Sequence, residues 1–286
     1  PESFHSGSVY RSEEAIMRAG LEMVEAGAAV IDVGARSTAP YLDTAIDDAT
    51  ETERLARAVE LLAAKLPVPI SADTSRPGPA RAALDAGARI VNDVRTLRDP
   101  ELARLVAARS AGVIVMASPA PATPAGGPAR LAARRSRAHR RHAPRRARAH
   151  QQKGAAPLAT VRALLTAGLG WARAAGVAER RIVLDPGIGF FRGAGVAWPA
   201  WDVRVLAGLG TLRALGRPLA VGVSRKSFIG ALLLQPDTSD RLSGSLSATA
   251  AAVLAGAALI RTHDVAATRD AVRVAERIRG AGGSRP

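Results

Sequence analysis

Seven short runs rich in valine, isoleucine and alanine limit what this chain can fold into: each ends in polar residues and alternates with segments of helical spacing. The runs are residues 28–33, 68–72, 89–93, 112–116, 181–185, 218–223 and 257–261. Helical spacing marks residues 13–26, 44–66, 79–86, 100–109, 158–175, 201–215, 242–255 and 265–279, with Gly87 placed to cap the third of these. Strands that alternate with helices build a parallel sheet covered on both faces. Polar side chains recur where the strands run out: Thr38, Asp73, Asn92, Asp185, Lys226, Arg261 and His263. A (β/α)8 TIM barrel presents its site in that way, from the carboxyl ends of its strands. A doubly wound sheet needs one crevice at a switch point and fits less well. The 286 residues suit a single barrel, which takes about 250. Residues 1–4 read as a loop, so the eighth strand, first in order, is expected upstream of Pro1.

The net charge of +15 suggests nucleic acid until it is mapped. Arg130, Arg134, Arg135, Arg137, Arg140, Arg141, Arg145, Arg146, Arg148 and Lys153 lie in one acid-free segment, and removing these ten leaves +5 for the rest. Residues 119–157 around them are rich in Pro, Ala, Arg and His without apolar period, and read either as a disordered surface insertion or as the product of a shifted reading frame. A nucleic-acid arm is not expected, since no aromatics interleave the arginines. There is no cysteine, hence no disulfide and no thiolate metal site. No apolar run approaches a membrane span, and no signal peptide opens the chain; the expectation is a soluble cytoplasmic protein.

The stretch Gly222-Val-Ser-Arg-Lys-Ser-Phe-Ile-Gly230 carries a lysine between serines where a buried strand meets a loop and then a helix. Alone, Lys226 reads as a solvated strand end. Its neighbours in the pattern change that: Pro1-Glu-Ser-Phe-His-Ser-Gly7, Ile31-Asp-Val-Gly-Ala-Arg-Ser-Thr-Ala-Pro40, Ile70-Ser-Ala-Asp-Thr74, Ile90-Val-Asn-Asp93, Leu184-Asp-Pro-Gly-Ile-Gly-Phe190 and Ile260-Arg-Thr-His-Asp264. In this order, over roughly residues 1–118 and 158–280, they resemble the dihydropteroate synthase family of pterin-binding barrels.

The resemblance implies condensation of 6-hydroxymethyl-7,8-dihydropterin pyrophosphate with p-aminobenzoate or a related aryl amine. Asp73, Asn92, Asp185 and Lys226 would hold the pterin, and Lys226, Asp185, Arg261 and His263 would be the catalytic group. Thr38, Pro40, Phe190, Ser227, Arg261 and His263 would face the pyrophosphate and the aryl amine. Mg2+ would share the pyrophosphate charge, the Asn that helps hold it lying upstream of Pro1; a homodimer follows only by family analogy. Ala39 stands where bacterial members commonly carry Arg, and Ser37-Thr-Ala-Pro-Tyr41 resembles a divergent branch. The residue types also admit plainer roles. Asp73 and Asp185 could cap helices, Asn92 could be a turn residue, and Asp32, Phe190 and His263 could be structural. Arg225 reads as an ion-pair partner. Two alternative functions stay open: an inactive or incomplete pterin-binding paralogue, and a methyltetrahydrofolate–corrinoid methyltransferase-like binder, which has no use for Ser-Arg-Lys-Ser or Arg-Thr-His.

Overall fold

The computed structural model of the chain describes residues 9–10, 12–36, 46–119, 156–192 and 196–283. Strands and helices alternate through α1 (Glu13–Glu25), β1 (Ile31–Val33), α2 (Asp48–Ala63), β2 (Ile70–Asp73), α3 (Pro77–Asp85), β3 (Ile90–Asp93), α4 (Pro100–Ala108) and β4 (Gly112–Met116). They continue with α5 (Pro157–Ala174), β5 (Ile182–Asp185), α6 (Trp198–Ala207), β6 (Ala220–Gly222), α7 (Ser227–Leu233), α8 (Leu242–Leu254), β7 (Leu259–Arg261) and α9 (Val265–Gly283).

Local chemistry sets several of these starts. Ser12 and Asp47 cap α1 and α2 by accepting from Ala15 N (3.2 Å) and Thr50 N (2.7 Å). Asp99 does the same for α4, followed by Pro100 at the first helical position, where no N–H is needed. The helix predicted over 201–215 is corrected: it starts earlier, at Trp198, and breaks at Gly208 into a 3-10 stretch, Leu209–Leu215. A Cβ at Gly208 would lie 2.6 Å from a Leu158 methyl, so the glycine lets α6 end close against α5 without moving that side chain. The helix predicted over 79–86 likewise starts earlier, at Pro77. β4 has the bounds of its apolar run, while the other strands are shorter than theirs.

All the strand pairs are parallel. β1 to β5 form one sheet in chain order, and β6 pairs with β7. A bridge between Leu184 and Leu219, with Leu184 N donating to Pro218 O at 2.9 Å, links β5 to β6. The strands therefore stand in sequence order, as the staves of the expected TIM barrel do. Closure shows in the side chains. Arg261, at the end of β7, reaches Asp32 on β1 and Asp73 on β2. Arg269 on α9 donates to Ala26 O behind α1 at 2.9 Å. Among the described residues no ladder joins β7 to β1.

The core falls into two clusters. One packs Val115, Leu165, Leu184, Trp201, Leu219 and Val221 between the later strands and helices, and the other packs Leu55, Val59, Leu62, Ile70 and Ala72 under α2. The arginine-rich residues 120–155, the first-loop motif over residues 1–7, and Thr38 and Pro40 lie outside the described residues.

Candidate active site

Parallel strands in order bring their carboxyl ends to one rim, and the polar residues there meet. Asp32 Oδ2 accepts from Arg261 Nε at 2.7 Å and from Asn92 Nδ2 at 3.1 Å. Arg261 Nη2 donates to Asp73 Oδ2 at 2.9 Å. One guanidinium thus bridges two carboxylates, and Arg261 stands 229 and 188 positions from them in the chain. Asp32 Oδ1 and Asp73 Oδ1 are buried and lack a hydrogen-bond partner. Two acceptor oxygens left unsatisfied beneath a rim form a receptor for donors from a ligand. Asp73 does not cap α3, whose cap position is Arg76, so the capping alternative falls for this residue.

Asp185 ends β5. Its Oδ1 accepts from Gly187 N at 2.7 Å, shaping the turn that leads to Phe190. Gly187 has φ +72°, and a Cβ there would lie 2.0 Å from Ala117 O, so no other residue fits. Asp93, not Asn92, is the turn carboxylate: it accepts from Arg95 N at 3.2 Å and from Leu97 N. Asn92 is left to the site.

Lys226 sits between β6 and α7, partly buried rather than solvated as it reads alone. Its Nζ lies 5.0 Å from the centre of the Phe190 ring. Burial, with Arg261 nearby, pushes its pKa down to about 8, against the pull of Asp185, Asp202 and Asp73. Burial pushes Asp73 up to about 7, opposed by Arg261 and reinforced by Asp32. Asp185 is also raised by burial, opposed by the Gly187 amide and Lys226. The rim is thus a mixed-charge cluster in which burial moves Asp73 and Lys226 toward neutrality from opposite sides.

At the far side Ser224 Oγ and His263 Nδ1 are 2.9 Å apart, and His263 N also donates to that hydroxyl. Arg225 is the ion-pair partner it was read as: Nε and Nη2 donate to the two oxygens of Asp264 at 2.8 and 2.7 Å. Two residues escaped the sequence reading. Arg192 donates to Ser227 Oγ and stacks 4.0 Å over Trp198. Asp202 accepts from Gly189 N at 2.9 Å and is 2% exposed. The available signal for Asp202 was an acid on the apolar stripe of its helix, beside Trp201 and one turn from Val205.

Magnesium is implied by the resemblance, and the residues expected to hold it lie outside the described ones. Among the described residues no three His, Cys, Asp or Glu side chains group as metal ligands.

The strand-end Asp, Asn and Lys share one rim of a parallel α/β fold, and the chain belongs to the pterin-binding enzyme family, whose model matches residues 1–263. Within that class it is similar to dihydropteroate synthases. The enzyme of Synechocystis is 34% identical over 277 residues, covering 96% of this chain and 86% of the relative. The Xanthomonas albilineans dihydropteroate synthase with 4-aminobenzoic acid superposes with a TM-score of 0.77 at 33% identity, covering 97% of this chain and 89% of the other. The same enzyme in complex with 7,8-dihydropteroate gives 0.73 at 32% identity, covering 96% and 88%.

Proposed function

We propose that the chain is a transferase that joins 6-hydroxymethyl-7,8-dihydropterin pyrophosphate to p-aminobenzoate or a related aryl amine and releases pyrophosphate. The observation that carries this reading is the Arg261 bridge between Asp32 and Asp73, beside Asn92 and with two buried acceptor oxygens left over. A pterin edge offers paired N–H donors, and ionised carboxylates accept them with fixed orientation. Asp73, Asp185 and Asn92 take that edge in this reading, and Lys226 donates to the ring. The relatives' complexes with 4-aminobenzoic acid and with 7,8-dihydropteroate support the substrate pair.

In the reaction the amine lone pair forms the new N–C bond at the pterin's exocyclic methylene. The C–O bond breaks, its electron pair leaves with pyrophosphate, and the amine nitrogen loses a proton. Negative charge grows on the leaving oxygen, so fixed donors stabilise the transition state more than the ground state. Arg261 has five N–H donors; two are committed to carboxylates, while its side chain is 48% exposed and can meet an anion. His263 is placed beside it by Ser224. Phe190 and Ser227 line the aryl-amine side, joined by Arg192, whose contact with Ser227 favours an amine bearing an acid group. Thr38 and Pro40 complete that side from the second loop by resemblance. Any magnesium would come with the pyrophosphate, and no step here runs through it. A cytoplasmic location and a homodimer belong to the same proposal; no described helix is long and apolar enough to cross a membrane.

The test is pyrophosphate release and dihydropteroate formation from purified wild type, Lys226→Ala and Asp185→Ala. Wild type should turn over and both variants should lose activity. Full turnover by either variant overturns the assignment. Tight pterin-pyrophosphate binding by calorimetry with no wild-type product would instead make this an inactive pterin-binding paralogue.

A further inference from the structure

Asp202 comes from a helix, outside the ring of strand-end residues, yet it reaches the site from beneath. Trp201 fixes the helix at this point, fully buried and stacked on Phe191 at 4.8 Å between ring centres. Oδ1 of Asp202 then accepts from Gly189 N at 2.9 Å. Oδ2 is buried and has no hydrogen-bond partner. A buried carboxylate oxygen without a donor is costly, so a charge nearby must help hold it. Two cations act on it, Lys226 and Arg192; the Lys226 Nζ lies 3.5 Å from the Cβ position at Gly189, the residue whose amide Asp202 holds.

We propose that Asp202 is a positioning residue of the site: its carboxylate clamps the turn that presents Phe190, and its charge holds the Lys226 ammonium over that ring. Both halves follow from one side chain holding the Gly189 amide, the residue next to Phe190 against which the Lys226 amine lies. The electrostatics agree. Burial raises Asp202 to about 6, so it is ionised at neutral pH, with the Gly189 amide, Lys226 and Arg192 opposing the rise. Lys226 loses its proton near 8; Arg261 pushes in that direction, while Asp185, Asp202 and Asp73 oppose it. Removing the Asp202 charge must lower that value further.

The proposal rests on the transferase reading only for its effect on rate, so the test also reads the lysine directly. The chain has three lysines, Lys65, Lys153 and Lys226, so a 15N-lysine NMR titration assigned with Lys226→Arg resolves the group. In Asp202→Asn the amide oxygen still accepts from Gly189, so the Lys226 midpoint should fall by about one pH unit with the aryl-amine KM unchanged. The falling alkaline limb of kcat/KM should move by the same amount. In Asp202→Ala the midpoint should fall alike, and the aryl-amine KM should also rise about tenfold because the Gly189 N–H is orphaned under Phe190. An unchanged midpoint in Asp202→Asn overturns the proposal, as does an Asp202→Ala enzyme whose KM matches Asp202→Asn. If Asp202→Ala fails to fold by circular dichroism, the isosteric Asp202→Asn decides the question alone. A wild type without turnover defeats the transferase reading but leaves the titration able to confirm or reject the role of Asp202.

Discussion

At the scale of single residues, the site's pH response follows from two groups with opposite needs. In the proposed reading a pterin edge requires Asp73 ionised and Lys226 protonated. Asp73 is raised to about 7, mainly by burial, and Lys226 is lowered to about 8, again mainly by burial. In the free enzyme kcat/KM should therefore rise as pH passes about 7 and fall again as it passes about 8, a narrow bell set by these two groups. A profile flat from pH 6 to 9 would detach both residues from the chemistry. Most of these residues were legible in the sequence, because strand ends are marked by the switch from Val and Ile to polar types. Asp73, Asn92, Asp185 and Lys226 were read in that way. Asp202 and Arg192 were not, because one lies on a helix and the other beyond a turn, where nothing in the local pattern marks a side chain that points toward the rim.

At the scale of elements, close approach decides as much as hydrophobic pattern. Helix α5 lies against β4 through Gly168, where a Cβ would stand 2.7 Å from a Val115 methyl and 2.9 Å from Thr96 O. Gly168→Ala should destabilise the fold by about 1–3 kcal/mol from overpacking, more than the ~1 kcal/mol gained in helix propensity. Urea denaturation should show a lower midpoint with an unchanged slope; a higher midpoint would mean that α5 can move away without loss. The boundaries of α5 were read within a residue, but its need for glycine was not. A glycine inside an apolar helical stretch looks like a weak position until the neighbouring strand is in place. The same holds for α6, whose stripe continues past Gly208 while the chain tightens into 3-10 turns.

At the scale of the whole molecule, Arg261 ties the last strand to the first two described. Arg261→Met keeps the stem but leaves Asp32 and Asp73 facing each other without their cation. The arginine is about half exposed, so solvent screens part of the loss; a cost of about 1–2 kcal/mol is expected at pH 8. It should shrink below pH 6, where Asp73, with its raised pKa, takes up a proton. Thermal melts at the two pH values test this, and equal shifts at both would show that the bridge contributes no electrostatic closure. The parallel barrel was legible from alternation and from polar residues at nearly every strand end, because strands apolar on both faces pack helices outside and one another's side chains inside.

The sequence by itself determined the order of strands and helices, the rim on which chemistry-bearing residues gather, and, through its motifs, the pterin-binding family. These depend on local periodicity and on residue types at strand ends, which neighbouring positions in the chain encode. Only the tertiary structure decided that Arg261 neutralises Asp32 and Asp73 together, that Lys226 sits partly buried over Phe190, and that Asp202 lies beneath both. Those facts depend on distances between residues far apart in the chain and on how much water each charge retains. Neither quantity exists until the staves are set side by side.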